Sequence, residues 1–288
     1  MKKKITNSSW LKTFLQKKYR DLLLKPALKL ILNNQKYPTF WTMPFDTICR
    51  TIILDGYYEK TLLEGMCQLV PNKKGIVLDI GANIGNHTIF FSSVFSKVFS
   101  FEPIASNCWI LKANLHLNNI KNVILIENGL SDKNAEMTTS SNDSHDTNKS
   151  LIDITENIND DQIKIKVLIG DEVIKQLQLN DPIVAIKIDV EGHEPNVIRG
   201  LTETIQKHQP IIYWEAFNIN TVNQSKIVLK QLGYTHFYHL TSNKYSNKFI
   251  NKLNKSFSSS AYLVDINHCS EFDGMNVAST TKLIEGLN

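Results

Sequence analysis

The stretch Val77-Leu78-Asp79-Ile80-Gly81-Ala82-Asn83-Ile84-Gly85-Asn86 decides the fold of this chain. The apolar run over 76–80 predicts a buried strand, the glycines at 81 and 85 predict a tight turn, and the segment over 86–95 predicts a helix. Glycine allows the backbone to turn sharply and to approach a ligand closely. The first turn of the helix offers N–H groups and the positive end of its dipole to an anionic group. The stretch therefore predicts a strand, a loop and a helix that together bind a ligand.

A second acidic marker, Phe101-Glu102-Pro103, lies where the second strand of a βαβ unit should end, with Glu102 23 positions after Asp79. A carboxylate at that point accepts hydrogen bonds from the hydroxyls of a ribose. The loop lacks the middle glycine of the G-x-G-x-x-G fingerprint, which brings a pyrophosphate against the backbone. Each feature alone is common, as a strand–helix turn or as an N-cap. Together they favour an adenosine with an amino-acid tail, S-adenosylmethionine, over NAD.

Strands and helices alternate along the rest of the chain, and this predicts an α/β fold with a mostly parallel sheet and helices on both faces. Strands are expected at about 76–80, 97–101, 122–127, 184–189, 211–214, 234–240 and 261–265. Helices are expected at about 57–69, 85–95, 104–118, 194–207 and 222–232. We expect an N-terminal helical or irregular extension over 1–56 and a main domain over 57–288. The tract 133–160 is rich in Ser, Thr, Asn and Asp, so it is expected to be a surface insertion with some hairpin and no core.

Polar residues follow five of the expected strands: Asp79, Glu102, Asn128, Asp189 and Glu215. Right-handed crossovers bring the carboxyl ends of parallel strands to one edge of the sheet, where ligands of open α/β sheets bind. The sequence therefore predicts that these residues line one rim.

The segment Lys187-Ile188-Asp189-Val190-Glu191-Gly192-His193-Glu194 crowds ionisable groups at the end of one expected strand. Such crowding can shift pKa values and mark a functional site. Acids at the start of a helix are also favourable through the helix dipole alone. We interpret Glu194 as part of such a cap, whereas a functional role is favoured for Asp189, Glu191 and His193.

Composition excludes several classes of protein. The 288 residues are 42% hydrophobic and 21% charged, with a net charge of +4, which does not predict a nucleic-acid-binding surface. The four cysteines are scattered, so neither a disulfide framework nor a metal cluster is predicted, and a reducing cytoplasm suits the pattern. No run of 18 apolar residues occurs, and the lysine-rich start lacks the features of a signal peptide.

The first 35 residues combine lysines with apolar residues at helical spacing. A basic amphipathic helix of this kind binds an anionic membrane surface, here the inner face of the membrane. The alternative, which we favour, is a helix that packs on its own domain and keeps its lysines solvated.

The chain resembles the FkbM family of S-adenosylmethionine-dependent methyltransferases over about residues 57–265. The resemblance rests on an ordered set of motifs: Leu78-Asp79-Ile80-Gly81-Ala82-Asn83-Ile84-Gly85, Phe101-Glu102-Pro103, Asn128-Gly129-Leu130-Ser131-Asp132, Lys187-Ile188-Asp189-Val190-Glu191-Gly192-His193-Glu194, Pro210 and Glu215. It implies a class I methyltransferase (Rossmann-like) fold with a seven-stranded sheet. It also implies methyl transfer to a hydroxyl of a sugar, of a glycolipid or polysaccharide, or of a related secondary metabolite. The acceptor would be a small molecule or a glycan, which could be lipid-linked, in polysaccharide biosynthesis. The long polar tract over 133–160 departs from the family pattern and leaves the shape of the acceptor pocket open.

By this resemblance, Asp79, Gly81 and Asn83 line the methionine end of S-adenosylmethionine, and Glu102 holds the ribose. Asn128 and Ser131 border the adenine. The full predicted cofactor site is Asp79, Gly81, Ala82, Asn83, Gly85, Glu102, Pro103, Asn128 and Ser131.

For catalysis we expect Asp189 and Glu191 to orient the acceptor hydroxyl and His193 to act as a base, because a hydroxyl is a poor nucleophile. No metal site is predicted, because no spacing of carboxylates specifies one. Two alternatives are an NAD-dependent sugar-modifying oxidoreductase and a non-catalytic subunit of a glycan-assembly complex that keeps the cofactor-binding fold.

Overall fold

The computed structural model describes residues 40, 51–52, 56–140, 152–153, 162–216, 219–241, 255–256, 262–266 and 275–282. Contacts divide the chain into two units, Met1–Tyr58 and Glu59–Asn288. The helix predicted over the first 35 residues lies outside the described residues. The domain boundary placed at residue 56 stays a prediction.

The described part of the second unit contains seven helices and thirteen strands. The helices are α1 (Lys60–Leu69), α2 (Asn86–Val94), α3 (Ala105–Leu117), α4 (Gly170–Gln176), α5 (Glu194–Gly200), α6 (Thr202–His208) and α7 (Ile219–Gln231). The strands are β1 (Ile76–Ile80), β2 (Lys97–Phe101), β3 (Val123–Ile126), β4 (Gly129–Ser131), β5 (Ala135–Ser140), β6 (Ile152–Asp153), β7 (Gln162–Ile169), β8 (Ile183–Ile188), β9 (Ile211–Ala216), β10 (His236–Thr241), β11 (Lys255–Ser256), β12 (Tyr262–Asp265) and β13 (Met275–Thr280). Among the described helices, none has the length and apolar character required to cross a membrane.

The large sheet has the strand order β11-β12-β10-β13-β9-β8-β1-β2-β3 within the described residues. Strands β3, β2, β1, β8 and β9 run parallel to one another. Strand β13 is antiparallel to β9, and β10 is antiparallel to β13. These seven strands confirm the predicted mostly parallel, seven-stranded sheet of a class I methyltransferase. The short antiparallel strands β12 and β11 extend it at one end.

The centre of the sheet is buried on both faces, which explains its continuous apolar runs. All five residues of β1 are buried, and Leu78, Ile186 and Trp214 from three neighbouring strands belong to one apolar core. Strands of a parallel sheet covered by helices on both sides show this pattern, whereas a half-solvated strand alternates. The runs over 76–80 and 184–189 therefore identified the central strands.

Strand β13 is an element that the sequence analysis did not predict. The expected terminal hairpin exists, because β10 pairs antiparallel with β12. However, β13 inserts between β10 and β9, with Val277 opposite Trp214. The indole N–H of Trp214 donates a hydrogen bond to Ser279 Oγ over 2.9 Å, which fixes this register.

The polar tract contributes β5 and β6 to a second sheet, which has the order β4-β7-β5-β6 within the described residues. Strand β5 lies inside the predicted insertion and pairs antiparallel with β6 and with β7, so the expected hairpin is present. The expectation that this tract buries no core is wrong for Met137, which is 3% exposed and packs with Ile165 and Val167. Residues 141–151 and 154–161 of the tract lie outside the described residues.

The single helix predicted over 194–207 is two helices, α5 and α6, with Leu201 between them. The side chain of Asp171 explains the break, because it accepts hydrogen bonds from the N–H groups of Glu203 and Thr204 over 2.8 and 2.9 Å. Asp171 thus supplies the acceptors for the first turn of α6, as an N-cap residue does.

Candidate active site

The glycine loop after β1 is held tightly between its neighbours. The N–H groups of Gly81 and Ala82 both donate to the carbonyl oxygen of Phe101 over 3.0 Å. The φ angle of Gly81 is +78°, and a Cβ built there would lie 1.8 Å from the carbonyl oxygen of Asp189. Gly85, also with positive φ, donates its N–H to the carbonyl of Ala82 over 2.9 Å. The backbone at residue 81 therefore touches the end of β8, and a side chain there would disrupt that contact.

Glu102 is buried at the end of β2 and organises the same loop. Its carboxylate accepts hydrogen bonds from the N–H of Asn83 over 2.8 Å, from the N–H of Ile104 over 2.9 Å and from Asn107 Nδ2 over 3.3 Å. Burial raises the pKa of Glu102 above its usual range, although these hydrogen bonds act in the opposite direction. The structure thus assigns Glu102 a role in fixing Asn83, while ribose binding stays a prediction.

Asp79 is fully buried in β1 and is held by side chains on both sides. Its Oδ2 accepts a hydrogen bond from Thr88 Oγ1 of α2 over 2.5 Å, and Thr88 also bonds to Ser100 of β2 over 2.8 Å. Its Oδ1 lies 3.4 Å from Lys187 Nζ, directly across the β1–β8 pairing. A carboxylate without water is stable only when it is paired in this way.

Lys187 is the central cation of the site, and the predicted site did not include it. Its Nζ donates to the carbonyl oxygen of Gly81 over 2.9 Å and lies 3.2 Å from Asp189 Oδ2, close to Asp79 as well. Burial acts to lower the pKa of Lys187, but the carboxylates of Asp189 and Asp79 more than offset it, and the net pKa is raised. Lys187 is therefore charged, and it joins the glycine loop to the ends of two strands.

Asp189 combines ionisation with access to solvent. Its side chain is 31% exposed, whereas that of Lys187 is 5% exposed. Burial acts to raise the pKa of Asp189, but the Lys187 charge, a hydrogen bond from Glu215 and the nearby His87 bring it below its usual range. The group at the rim is therefore a carboxylate that can accept a hydrogen bond from a bound molecule.

The other two predicted catalytic residues, Glu191 and His193, follow Asp189 after the end of β8. Glu191 is exposed on the turn after β8, with a φ angle of +55°. His193 is buried, and its Nε2 lies 2.9 Å from the Oγ of Ser131, which is itself fully buried. The same Ser131 hydroxyl is within hydrogen-bond distance of Asp132 Oδ1, at 3.2 Å. The structure thus brings His193 together with Ser131. The catalytic roles of Glu191 and His193 stay predictions.

Glu194 lies in the first turn of α5, and its side chain bonds to the turn that precedes this helix. Its Oε1 accepts hydrogen bonds from the N–H groups of Val190 and Gly192 over 3.2 and 3.0 Å. The side chain is fully buried, and burial raises the pKa of Glu194 to about 7 despite these bonds. Glu194 thereby shapes the turn that carries Glu191.

The remaining predicted positions lie at the same edge of the sheet. Pro103 follows β2 and Asn128 follows β3, and both are half-buried. Glu215, near the end of β9, hydrogen-bonds to Asp189 at the rim where the sequence placed it, although it was not among the predicted cofactor-binding or catalytic residues. Within the described residues, no group of three or more His, Cys, Asp and Glu side chains could hold a metal ion.

The chain is similar to known methyltransferases in sequence. The family described as "Methyltransferase FkbM domain" matches residues 79–258. The hexuronic acid methyltransferase AglP of Haloferax volcanii is 29% identical over 136 residues, which are 46% of this chain and 52% of that protein. The matched region thus spans about half the length of this relative.

Two solved methyltransferase structures match this chain at low similarity. Methyltransferase FkbM from Methylobacillus flagellatus KT has a TM-score of 0.42 and 19% identity, with 57% of this chain and 39% of that chain covered. A SAM-dependent O-methyltransferase from Thermotoga maritima has a TM-score of 0.43 and 12% identity, with 90% of this chain and 72% of that chain covered.

The family match settles the resemblance seen in the motifs. It extends over more than half of the chain and contains the glycine loop, Glu102, Lys187 and the turn after β8. It favours a methyltransferase over both the NAD-dependent oxidoreductase and the non-catalytic subunit. This chain belongs to the FkbM family of S-adenosylmethionine-dependent methyltransferases.

Proposed function

We propose that this protein transfers a methyl group from S-adenosylmethionine to a hydroxyl oxygen of a sugar. The acceptor would be a small molecule or a glycan, which could be lipid-linked. The observation that carries the proposal is the ionised, partly exposed carboxylate of Asp189, a residue whose backbone carbonyl lies directly against the glycine loop at Gly81. The name of the relative AglP, a hexuronic acid methyltransferase, supports a sugar as the acceptor.

The residues at the rim fit S-adenosylmethionine. A sulfonium is a cation, and the partly exposed carboxylate of Asp189 next to the glycine loop carries the complementary charge. The backbone at residue 81 has no side chain, so the loop leaves room for a ligand to approach closely. When bound, S-adenosylmethionine supplies an activated methyl group that requires no further activation by the protein.

The role of the protein is then to align the acceptor. Holding two reacting groups in line accounts for a large part of the rate enhancement of many enzymes. Asp189 would accept a hydrogen bond from the acceptor hydroxyl and orient its oxygen. Because the pKa of Asp189 is lowered, this carboxylate is a weak base, so it orients the hydroxyl and receives its proton late.

The cellular location follows from the acceptor. Glycans are assembled on lipid carriers at membranes, so a cytoplasmic enzyme at the inner face of the membrane would meet such an acceptor. The lysine-rich segment over the first 35 residues supplies charge for such a contact. Flotation of the full chain with anionic vesicles, compared with a chain that lacks these residues, tests this location.

Tritium-methyl transfer to extracts of the host cell envelope, followed by mass analysis of the labelled product, tests the function. The expected result is a hydroxylated glycan that carries a new methyl ether. Absence of transfer to any acceptor by protein that binds S-adenosylmethionine would contradict the proposal and favour a non-catalytic subunit.

Asp189→Asn tests the residue that carries the proposal. The turnover number should fall while calorimetry still detects cofactor binding, because the variant keeps its shape but loses its charge. Glu136→Gln, an exposed acid of the second sheet, is the matched control and should keep full turnover. Unchanged turnover of Asp189→Asn would remove Asp189 from the mechanism.

A further inference from the structure

Glu215 occupies the position beside Asp189 at the edge of the sheet. It is the last residue but one of β9, which runs parallel to β8 with Trp214 opposite Ile188. One step further along both strands, the two carboxyl groups meet and form a hydrogen bond. On its other side, Glu215 is paired in register with Asn276 of β13. The strand register therefore builds this carboxyl pair into the fold.

A hydrogen bond between two carboxyl groups requires a proton, since two carboxylates offer acceptors and repel each other. The surroundings decide which group holds it. Asp189 has Lys187 Nζ at 3.2 Å and His87 nearby, and both favour its ionised form. Glu215 instead faces the acids Glu191 and Glu59, and Glu59 in turn lies 3.4 Å from His87.

Burial and these neighbours act on Glu215 in one direction. Burial is the largest effect, and with the negative charges of Asp189, Glu191 and Glu59 it raises the pKa of Glu215 to about 10. Despite burial, the pKa of Asp189 is lowered instead, mainly by the charge of Lys187. These opposite directions favour a pair that holds one proton at neutral pH, on Glu215 rather than on Asp189.

We propose that Glu215 is a positioning residue, which as a neutral acid donates its O–H to Asp189 and fixes the carboxylate that receives the acceptor hydroxyl. This role rests on the proposed methyl transfer. Lys187 contacts Asp189 from β8 and Glu215 contacts it from β9, one as an ammonium and the other as a carboxylic acid. With two donors on it, the carboxylate has a single orientation and presents its remaining lone pairs to the rim.

The location of the proton can be tested without measuring activity. An acid that is protonated in the folded state and ionised in the unfolded state makes folding take up a proton, so stability falls as the pH rises. Between about pH 5 and pH 9, the unfolding equilibrium constant of the wild type should therefore rise tenfold per pH unit relative to Glu215→Gln. Urea unfolding of both proteins across this range measures the slope, and Glu136→Gln gives the baseline for replacing an exposed acid.

Kinetics of two variants test the positioning role. Glu215→Gln keeps a donor toward Asp189, so its turnover number should stay within about threefold of the wild type, with an unchanged KM for the acceptor. Glu215→Leu removes the donor, and its turnover number should fall by about 10- to 100-fold, the effect expected for one hydrogen bond to a charged group. Calorimetry should show the same affinity for S-adenosylmethionine in both variants, which excludes a general loss of structure.

The outcomes separate the two proposals. Equal pH slopes for the wild type and Glu215→Gln would overturn the neutral acid, and equal losses of turnover in the Gln and Leu variants would overturn the positioning role. If the wild type methylated no acceptor, the proposed function and the positioning role would fall together. The unfolding slopes would then still decide where the proton lies. If Glu215→Leu did not fold, the turnover number of Glu215→Gln would decide. A loss much larger than threefold would then overturn the positioning role.

Discussion

The ammonium group of Lys187 donates a hydrogen bond of 2.9 Å to the carbonyl oxygen of Gly81, 106 positions earlier in the chain. This bond joins the carboxyl end of β8 to the loop that follows β1. An ammonium that leaves water loses much hydration free energy, and here a carbonyl and two carboxylates replace the water. The glycine loop and the carboxylate at the rim are therefore held by one side chain.

Replacing Lys187 by Met should destabilise the protein strongly. The substitution leaves Asp79 and Asp189 close together without a cation, and breaking a buried pair in this way costs about 3–5 kcal/mol of unfolding free energy. Urea unfolding at neutral pH measures this loss. Lys175→Met is the control, because Lys175 and its partner Glu203 form an exposed surface pair, and its unfolding curve should barely move. Similar losses in both variants would contradict the central role of Lys187.

Substitution of the first glycine of the loop should abolish cofactor binding. In Gly81→Ala, the new methyl group would lie 1.8 Å from the carbonyl oxygen of Asp189, so the loop or the end of β8 has to move. Gly192→Ala is the matched control, because Gly192 also has positive φ but no atom within 4 Å of its added Cβ. We expect a loss of about 1 kcal/mol for the control from backbone strain alone. Calorimetric titration with S-adenosylmethionine should detect binding by Gly192→Ala and none by Gly81→Ala.

The Glu102 carboxylate should affect cofactor affinity through the loop. Glu102→Gln replaces one acceptor oxygen by an N–H group, which faces the N–H of either Asn83 or Ile104. Losing one such bond to a charged group should weaken binding of S-adenosylmethionine by about tenfold or more. Glu127→Gln, at an acid whose side chain is 47% exposed, should bind as the wild type does. Equal affinities of the two variants would show that the loop does not depend on Glu102.

Stability should depend on pH through Glu194. Because burial raises the pKa of Glu194 from 4.5 to about 7, folding takes up a proton between these values. The stabilisation is complete below pH 4.5, decreases as the pH rises and is lost above about pH 7, a change of about 3 kcal/mol. Unfolding of Glu194→Gln from pH 5 to pH 8 should lack this change. The slope due to Glu215 extends to higher pH, so the two contributions can be distinguished.

The sequence predicted the elements whose patterns are determined locally. The strand over 76–80, its glycine loop and the acid at 102 were found because burial on both faces makes apolar runs and because turns require glycine. Strand β7 was missed although Ile163, Ile165 and Val167 alternate with lysines, the pattern of a half-buried strand. Strand β13 has a weaker signal, since Asn276 and Ser279 interrupt its apolar residues and its partners are distant in sequence.

The site was predicted where it depends on strand ends and missed where it depends on pairing across strands. Asp79, Asp189 and Glu102 follow from the rule that ligands bind at the carboxyl ends of parallel strands. Lys187 was not selected because a lysine inside an apolar strand has meaning only once the register places it opposite Asp79. The neighbours of His193 and Glu215 likewise come from distant segments of the chain, so their roles required the structure.

Strand β13 has a consequence for the order in which the protein folds during synthesis. Until residues 275–280 have left the ribosome, β9 and β10 have no strand between them, and each exposes a row of backbone donors and acceptors. Open edges of this kind invite pairing with other chains. A nascent chain that stalls before residue 275 is therefore expected to aggregate. The sheet is completed only when β13 inserts between β9 and β10, which are synthesised earlier.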